Sequence, residues 1–399
     1  MRILVTCESI AYGTGGGRTG ILGLCNALTR SGHDVYLIAT NALMDDHQPK
    51  VFNEFILYEG VNVAFYKTQC CIFGNYVSFG LFSELKDKIK SFDLVIIHSI
   101  YRFTSTIAAF YSRKNNIPYI LRPHGTLTPF LINNRRSLIK KLYINIFEKK
   151  SFKNAAAVQF SSKLEMCEAK KYIKEIKKSI IISEAINVGY YSKLNNNGSF
   201  ETKFPKVKNK FRLLFLGRFH PKKGLDLLLD AFQLVHKKCP DVHLVLAGTG
   251  DYDYVEHIKN RINSSSLNEY ITITGSISEE LKSVFLVESD AFILPSYGEN
   301  FGLAVVEAMA SKLPVIITNR VGISDIISEE GAGIVTSCDV LELVNAVVKL
   351  VQDLDFRIQM SDKALKLAKS KFDIEVMGYN MSNTFTRIVK KASLNVVRE

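Results

Sequence analysis

The sequence predicts two doubly wound α/β domains in tandem, each a parallel sheet with helices on both faces. Three observations predict this. Short β-branched runs alternate with helix-period patterns along the first half of the chain. A polar, Asn-rich break, YSKLNNNGSFETKFPKVKNK, interrupts them at 191–210, and the same alternation then restarts. Several strand runs are apolar throughout, as parallel strands covered on both faces should be.

In the first half, strands are expected at 2–6 (RILVT), 34–39 (DVYLIA), 61–66 (VNVAFY), 93–98 (DLVIIH), 117–121 (IPYIL) and 156–160 (AAVQF). Helical spacing between them shows in Ile21, Leu24, Cys25 and Leu28, and again in Ile107, Phe110 and Tyr111. The stretch 191–210 reads as a linker or exposed crossover. In the second half, strands are expected at 211–216, 242–247, 270–274, 290–294 and 314–318. Helices are expected at 224–238, 279–288, 303–312, 339–352 and 356–371. The division is then 1–190 and 191–374, with a last helix at about 375–399 packing back on the first domain. Ligands of such sheets gather at the carboxyl ends of the strands, so two domains facing one another would enclose a cleft.

Composition narrows the class. The chain is 47% hydrophobic and 23% charged, a globular balance with enough apolar residues for two cores. No apolar run approaches the length of a membrane span. The N-terminus passes from one arginine into a short strand, without the apolar block and cleavage site of a signal peptide. Seven scattered cysteines, with no CxxC pair, suggest neither a disulfide framework nor a zinc site and fit a reducing cytoplasm.

The 51 Lys+Arg exceed the 39 Asp+Glu, and thirteen Lys/Arg against four Glu fall in 133–178. Such a local field attracts an anion, although a lysine-rich composition gives the same count. Within it, Leu138, Ile139, Leu142, Tyr143, Ile146 and Phe147 form an apolar stripe flanked by Arg135, Arg136, Lys140, Lys141, Lys149 and Lys150. The stripe suits a helix lying on an anionic membrane through 133–153, or a core helix with a solvated basic rim; its width favours the core. No nucleic-acid module is present and aromatics are not interleaved with the basic residues, so nucleic acid is not an expected partner.

Four stretches carry the candidate chemistry. Gly13 to Gly17 follow the first strand and open a helix, where backbone can approach a ligand and free amides point outward. The spacing is not GxGxxG, which disfavours a dinucleotide site; alone, the loop is also what a tight turn needs. RPHGTLTPF, 122–130, follows a strand and places His124 at its carboxyl end, where it could bind a substrate hydroxyl or move a proton. LGRFHPKKGLDLLLDAF, 216–232, sets Arg218 and Lys223 about one loop, an arrangement suited to a diphosphate. Finally, DAFILPSYGENFGLAVVEAMASK sets Glu299 ahead of a helix and Glu307 on its first turn or so. The amides of Phe301, Gly302 and Leu303 would open at the helix start. Two acids favouring the helix dipole would be worth about 0.3–1 kcal/mol each and would not require Gly302 or Pro295.

Together these stretches resemble the GT-B glycosyltransferases, specifically family 4, the glycosyl transferases group 1 type, over nearly the whole chain. Glu299 to Glu307 fits the E-x7-E motif of that family. Gly217-Arg218 and Lys223-Gly224 match its GR…KG element, Gly15-Gly16 its N-terminal glycine loop ahead of Gly32-His33, and AGTGDY (247–252) its AG-x-G turn. ITGSISEEL (273–281) resembles the segment beside the nucleobase. The resemblance implies two Rossmann-like doubly wound parallel-sheet domains facing across a cleft, the first binding acceptor and the second donor.

It also implies roles. Arg218 and Lys223 would grip the donor diphosphate. Gly16 and the Phe301–Leu303 amides would approach phosphate and sugar, and Glu307 would bind ribose. Glu299 would bind the donor sugar and His124 its hydroxyls, with Gly15, Gly217, Gly248, Gly275 and Asn300 completing the donor site. His124, Arg218, Lys223 and Glu299 are the implied catalytic set.

The implied activity is retaining, metal-independent hexosyl transfer, without a cofactor, from a UDP- or GDP-sugar to a glycan or lipid-linked acceptor. The setting would be cell-surface polysaccharide biosynthesis, in the cytoplasm or peripherally on the inner face of the membrane. A nucleotide-sugar epimerase or phosphorylase of the same fold, or a non-catalytic basic binding protein, are the alternatives. The family's P-N-G segment is replaced here by ISEAINVGYY, 182–191.

Overall fold

A computed structural model describes residues 1–11, 16–44, 48–72, 74–127, 142–194 and 198–396. The chain forms two compact units: Met1–Ala185 together with the segment from Ile374 onward, and Ile186–Asp373. These boundaries fall at 185/186 and 373/374, where the sequence reading placed them at 190/191 and 374/375.

The first unit contains β1 (Arg2–Thr6), β2 (Asp34–Thr40), β3 (Phe55–Tyr58), β4 (Val61–Tyr66), β5 (Cys70–Ile72), β6 (Asn75–Val77), β7 (Leu94–His98), β8 (Tyr119–Arg122), β9 (Ala157–Phe160) and β10 (Ser179–Ile181). Eight of them form one sheet in the order β10-β9-β8-β7-β1-β2-β4-β3, while β5 and β6 make a separate antiparallel ribbon. Pairing in the large sheet is parallel except for β3 on β4. Every residue of β7, β8 and β9 is buried, which follows from helices covering both faces. The helix Ile374–Val396 lays Met377, Met381 and Phe385 into the same core as Leu24 and Leu28 of α1 (Gly16–Arg30). Gly378 permits that approach, since a Cβ there would lie 2.9 Å from the carbonyl oxygen of Ala27.

The second unit is a single parallel sheet of β11 (Phe211–Leu216), β12 (Val242–Ala247), β13 (Ile271–Gly275), β14 (Ala291–Leu294), β15 (Val315–Thr318) and β16 (Ile334–Thr336). The order is β13-β12-β11-β14-β15-β16. The chain winds outward from β11 in one direction, then returns to β14 and winds outward in the other. The loops leaving β11 and β14 therefore flank a topological switch point, where sheets of this kind bind ligands.

The stretch 191–210 is not an exposed linker. It carries the helix Ser199–Lys203 and a tight turn over Pro205–Val207, with Phe200 and Val207 fully buried. Phe204 and Phe285 pack against Phe200, and the carboxylate of Glu288 accepts from the amides of Ser199 and Phe200 at 3.1 and 3.2 Å. The apolar positions 200, 204 and 207 recur at helical spacing, but Asn- and Lys-rich neighbours mask them in a composition reading. The short strands β3, β10 and β16 and the helix Tyr252–Asn263 are additional to the elements expected from the sequence.

Candidate functional site

At the switch point of the second unit, glycines set the loops. The amide of Gly217 donates to Ala247 O at 3.0 Å, that of Phe219 to Thr249 O at 2.8 Å, and that of Gly248 to Gly275 O at 3.1 Å. The loops after β11, β12 and β13 thus lie edge to edge. Gly248 has φ +139°, and a Cβ on it would stand 2.0 Å from Gly217 O, so no other residue fits. Gly224 has φ +69°, and its Cβ would fall 2.1 Å from Pro295 O. This contact, with Tyr297 N donating to Lys222 O at 2.9 Å, ties the β11 loop to the β14 loop. Of the predicted site glycines, Gly248 is required by close backbone approach, whereas a Cβ on Gly217 would meet only the Phe215 ring at 3.8 Å and one on Gly275 would meet nothing within 4 Å.

The charges stand on this frame. Arg218 is exposed, and no carboxylate pairs with it among the described residues. Lys223 forms an ion pair with Glu299, so two residues expected to serve different parts of a ligand hold one another here. His220, which the sequence reading passed over, accepts from Lys222 N at 3.1 Å. Burial lowers its pKa, and Arg218, Lys222 and Lys223 lower it further against an opposing pull from Asp251.

Glu299 N donates to Arg320 O, and Glu299 O accepts from Gly322 N, both at 2.9 Å, which fixes its backbone. Asn300 is half-buried beside it. Phe301 is an anchor: its ring is buried and meets Phe372 edge-on at 5.6 Å. Gly302, at φ +101°, precedes the helix Leu303–Ala310 and offers no side-chain cap, so the amides of Leu303 and Ala304 lack an intrahelical acceptor.

Glu307 is the fifth residue of that helix, just past its first turn, close to where the sequence placed it. Its Oε1 accepts from Tyr191 Oη at 2.9 Å and from Lys282 Nζ at 3.0 Å. Burial works against the charge on Lys282, but Glu307, Tyr191 and Glu279 outweigh it and raise the ammonium's pKa. Burial and Glu307 likewise raise Tyr191. Neither Lys282 nor Tyr191 was singled out from the sequence; the family-like segment 273–281 stops one residue short of the lysine.

In the first unit, β7 and β8 deliver His98 and Arg122 at their carboxyl ends, and His124 follows with φ +50° ahead of Gly125 at +71°. The left-handed backbone at a histidine is strained and holds the ring in place. His124 Nε2 lies 2.7 Å from His98 Nδ1, with the rings stacked at 4.8 Å. Its Nδ1 lies 3.6 Å from Glu184 Oε1, which also accepts from Arg122 Nη2 at 2.8 Å. Both ring nitrogens of His124 therefore face protein groups in this structure. Burial and then Arg122 push His124 down to about 4, against Glu184. Glu165 braces the turn, accepting from Gly125 N at 2.7 Å and from Ser161 N at 2.7 Å.

Gly16 opens α1, while Gly15 lies outside the described residues. Of the basic stretch 133–153, residues 133–141 lie outside them too. The rest departs from the expected core helix: Ile144–Glu148 is π-helical, with Ile144 and Glu148 buried and Leu142, Ile146 and Phe147 exposed. A π turn rotates the stripe away from the face that a 3.6-residue period predicts.

Residues 14–187 match the model of Glycosyltransferase Family 4, and residues 198–367 that of Glycosyl transferases group 1. A phosphatidyl-myo-inositol mannosyltransferase of Propionibacterium freudenreichii is 26% identical over 83% of this chain and 80% of its own. The human α-1,3/1,6-mannosyltransferase ALG2 is 24% identical over 75% of this chain and 74% of its own. Among solved structures, Anabaena HepE in complex with UDP and glucose superposes with a TM-score of 0.74 at 17% identity, covering 97% of this chain and 100% of that one. Sucrose-phosphate synthase from Thermosynechococcus elongatus gives 0.75 at 17% identity, covering 98% and 100%.

The fold is GT-B, and the protein is a glycosyltransferase. The chain belongs to the glycosyltransferases of family 4, with the group 1 domain as its second unit.

Proposed function

We propose that the enzyme takes a sugar from a UDP- or GDP-sugar, with retention and without a metal, and places it on a glycan or lipid-linked saccharide in cell-surface polysaccharide biosynthesis. The observation that carries this reading is the switch point. Arg218, which no carboxylate pairs among the described residues, the Lys223–Glu299 pair, the uncapped amides of Leu303 and Ala304, and the Glu307 carboxylate all stand on loops and a helix around it.

In this reading the diphosphate lies on Arg218, Lys223 and the helix-start amides. Lys223 turns from Glu299 to phosphate, and Glu299 receives donor-sugar hydroxyls. Glu307, oriented by Tyr191 and Lys282, holds the ribose diol. As the sugar–phosphate bond breaks, negative charge grows on the leaving diphosphate, and the two cations stabilise it. They supply the charge a metal supplies elsewhere, and no covalent nucleophile is assigned. The UDP and UDP-glucose complexes of Anabaena HepE, and the UDP-2-fluoro glucose complex of the Escherichia coli trehalose-6-phosphate enzyme, support a nucleotide-sugar donor.

Screening UDP-, GDP- and ADP-sugars by thermal shift tests it. A donor at a hundredfold over its Kd should stabilise the protein by about 2.7 kcal/mol. No shift with any of them would overturn the donor assignment, and conversion of free donor without acceptor would mark an epimerase instead.

A second reading concerns placement. No helix among the described residues is long and apolar enough to cross a membrane. Leu142, Ile146 and Phe147 are nevertheless exposed beside Lys149, Lys150 and Lys153, which favours peripheral binding to an anionic membrane at its inner, cytoplasmic face. Sedimentation with anionic vesicles should fall when Lys140, Lys141, Lys149 and Lys150 are made Glu; unchanged sedimentation sinks this reading.

A further inference from the structure

In the segment that departs from the family's P-N-G pattern, Glu184 joins a ring of polar groups, three of them buried and His124 half-buried. Arg122 and His98 are almost wholly buried, and Glu184 is 7% exposed. Arg122 Nη1 lies 3.5 Å from His98 Nε2, His98 Nδ1 lies 2.7 Å from His124 Nε2, His124 Nδ1 lies 3.6 Å from Glu184 Oε1, and Arg122 Nη2 lies 2.8 Å from the same oxygen.

The directions of the three hydrogen bonds follow from one fact: arginine can only donate. His98 Nε2 must then accept, so the His98 proton is on Nδ1. That proton points at His124 Nε2, which must accept in turn. His124 therefore carries its own proton on Nδ1, facing a carboxylate that can only accept.

We propose that Glu184 and His98 are positioning residues that hold His124 as the Nδ1-protonated tautomer, leaving Nε2 as a hydrogen-bond acceptor. A substrate hydroxyl can then replace His98 at Nε2 as donor, without any proton having to leave the ring first. Burial and Arg122 lower both imidazoles, which keeps each neutral near pH 7. The other ionisable groups around the ring are the Cys25 thiol of α1, near Arg122, and Glu165 of the helix Lys163–Tyr172, near Glu184. The second oxygen of Glu184, Oε2, is buried without a hydrogen-bond partner and lies 3.2 Å from the place a Cβ on Gly20 would occupy. A larger residue at 20 would press on this carboxylate, so the glycine leaves room for it.

The kinetic arm of the test rests on the proposed glycosyl transfer; the spectroscopic arm does not. With ¹⁵N-histidine-labelled wild-type protein, long-range proton–nitrogen NMR should show both His98 and His124 protonated on Nδ1 alone from pH 8 down to about pH 5. His124 protonated on Nε2, or on both nitrogens at pH 7, would overturn the proposal.

Glu184→Gln alone would strand the Arg122 charge, so the informative variant is the pair Arg122→Met/Glu184→Met, which removes both buried charges together. It should release His124 to a tautomer mixture and lower kcat at least about tenfold with donor KM unchanged, a loss of about 1.4 kcal/mol. Wild-type kcat in the folded pair variant would equally overturn it. If that variant does not fold, the wild-type spectrum decides. If no sugar nucleotide is turned over at all, the spectrum still decides this proposal while the functional reading falls.

Discussion

The two units solve the same problem, placing charge at the carboxyl ends of parallel strands, in opposite ways. In the second unit, the cations around the switch point are exposed or half-buried, and one of them, Arg218, faces no acid among the described residues. In the first, Arg122, His98 and Glu184 are buried and lie in a ring of contacts with the half-buried His124. An open set of charges can exchange its contacts for those of an anionic ligand at small cost. A buried set cannot, because taking one member away leaves an uncompensated charge in low dielectric. The second unit therefore has the features of a binding surface, and the first those of a fixed reference against which a reacting group is held.

The contrast can be broken at its open side with the largest effect. Arg218→Ala should lower kcat by about 100- to 1,000-fold, the usual consequence of losing a group that meets transition-state charge. Steady-state kinetics with saturating donor measures this; a change confined to KM would move Arg218 from catalysis to ground-state binding.

Next comes the frame. Gly224→Ala sets a Cβ against Pro295 O in a left-handed conformation and should cost about 3 kcal/mol or more in unfolding free energy, read by denaturant titration. A near-neutral result would mean that the β11 and β14 loops part readily.

Glu307→Ala should weaken donor binding by about 10- to 100-fold, a loss of about 1.4–2.8 kcal/mol, by removing a charged hydrogen-bond acceptor and freeing Lys282 and Tyr191. Unaltered affinity by calorimetry would detach the carboxylate from the ligand.

An effect of similar size sharpens the buried side. Glu148, which accepts from Tyr101 N at 2.8 Å, is pushed up by burial to about 7. Its folded value exceeds the unfolded one, so the native state binds the extra proton between about pH 4.5 and 7, and stability falls as pH rises through that window. Glu148→Gln keeps the acceptor and removes the ionisation. The variant should match the wild type near pH 5 and exceed it by about 1–3 kcal/mol at pH 8. A constant difference across pH would show that Glu148 does not titrate there.

Much of this was legible before any coordinates. Apolar runs without alternation named the parallel strands, and the loops containing Arg218, Lys223 and Glu299, and the helix carrying Glu307, could be placed after β11 and β14 from strand order alone. Short strands such as β3, β10 and β16 were not legible, because three or four residues carry too little periodicity. The segment around Phe200 was misread because its burial depends on Phe285 and Glu288, which lie more than eighty positions away.

What the sequence determined by itself was the local chemistry: which residues follow a strand, where glycine is needed, and where a helix begins. Those properties depend on a residue and its neighbours within a few positions. Which charges pair was decided only by the tertiary structure. That Lys223 meets Glu299, that Lys282 and Tyr191 meet Glu307, and that Glu184 closes a ring through Arg122, His98 and His124 depends on loops from distant strands arriving at the same end of a sheet. Electrostatic partnership is set by distance in space, and a linear pattern holds no measure of it.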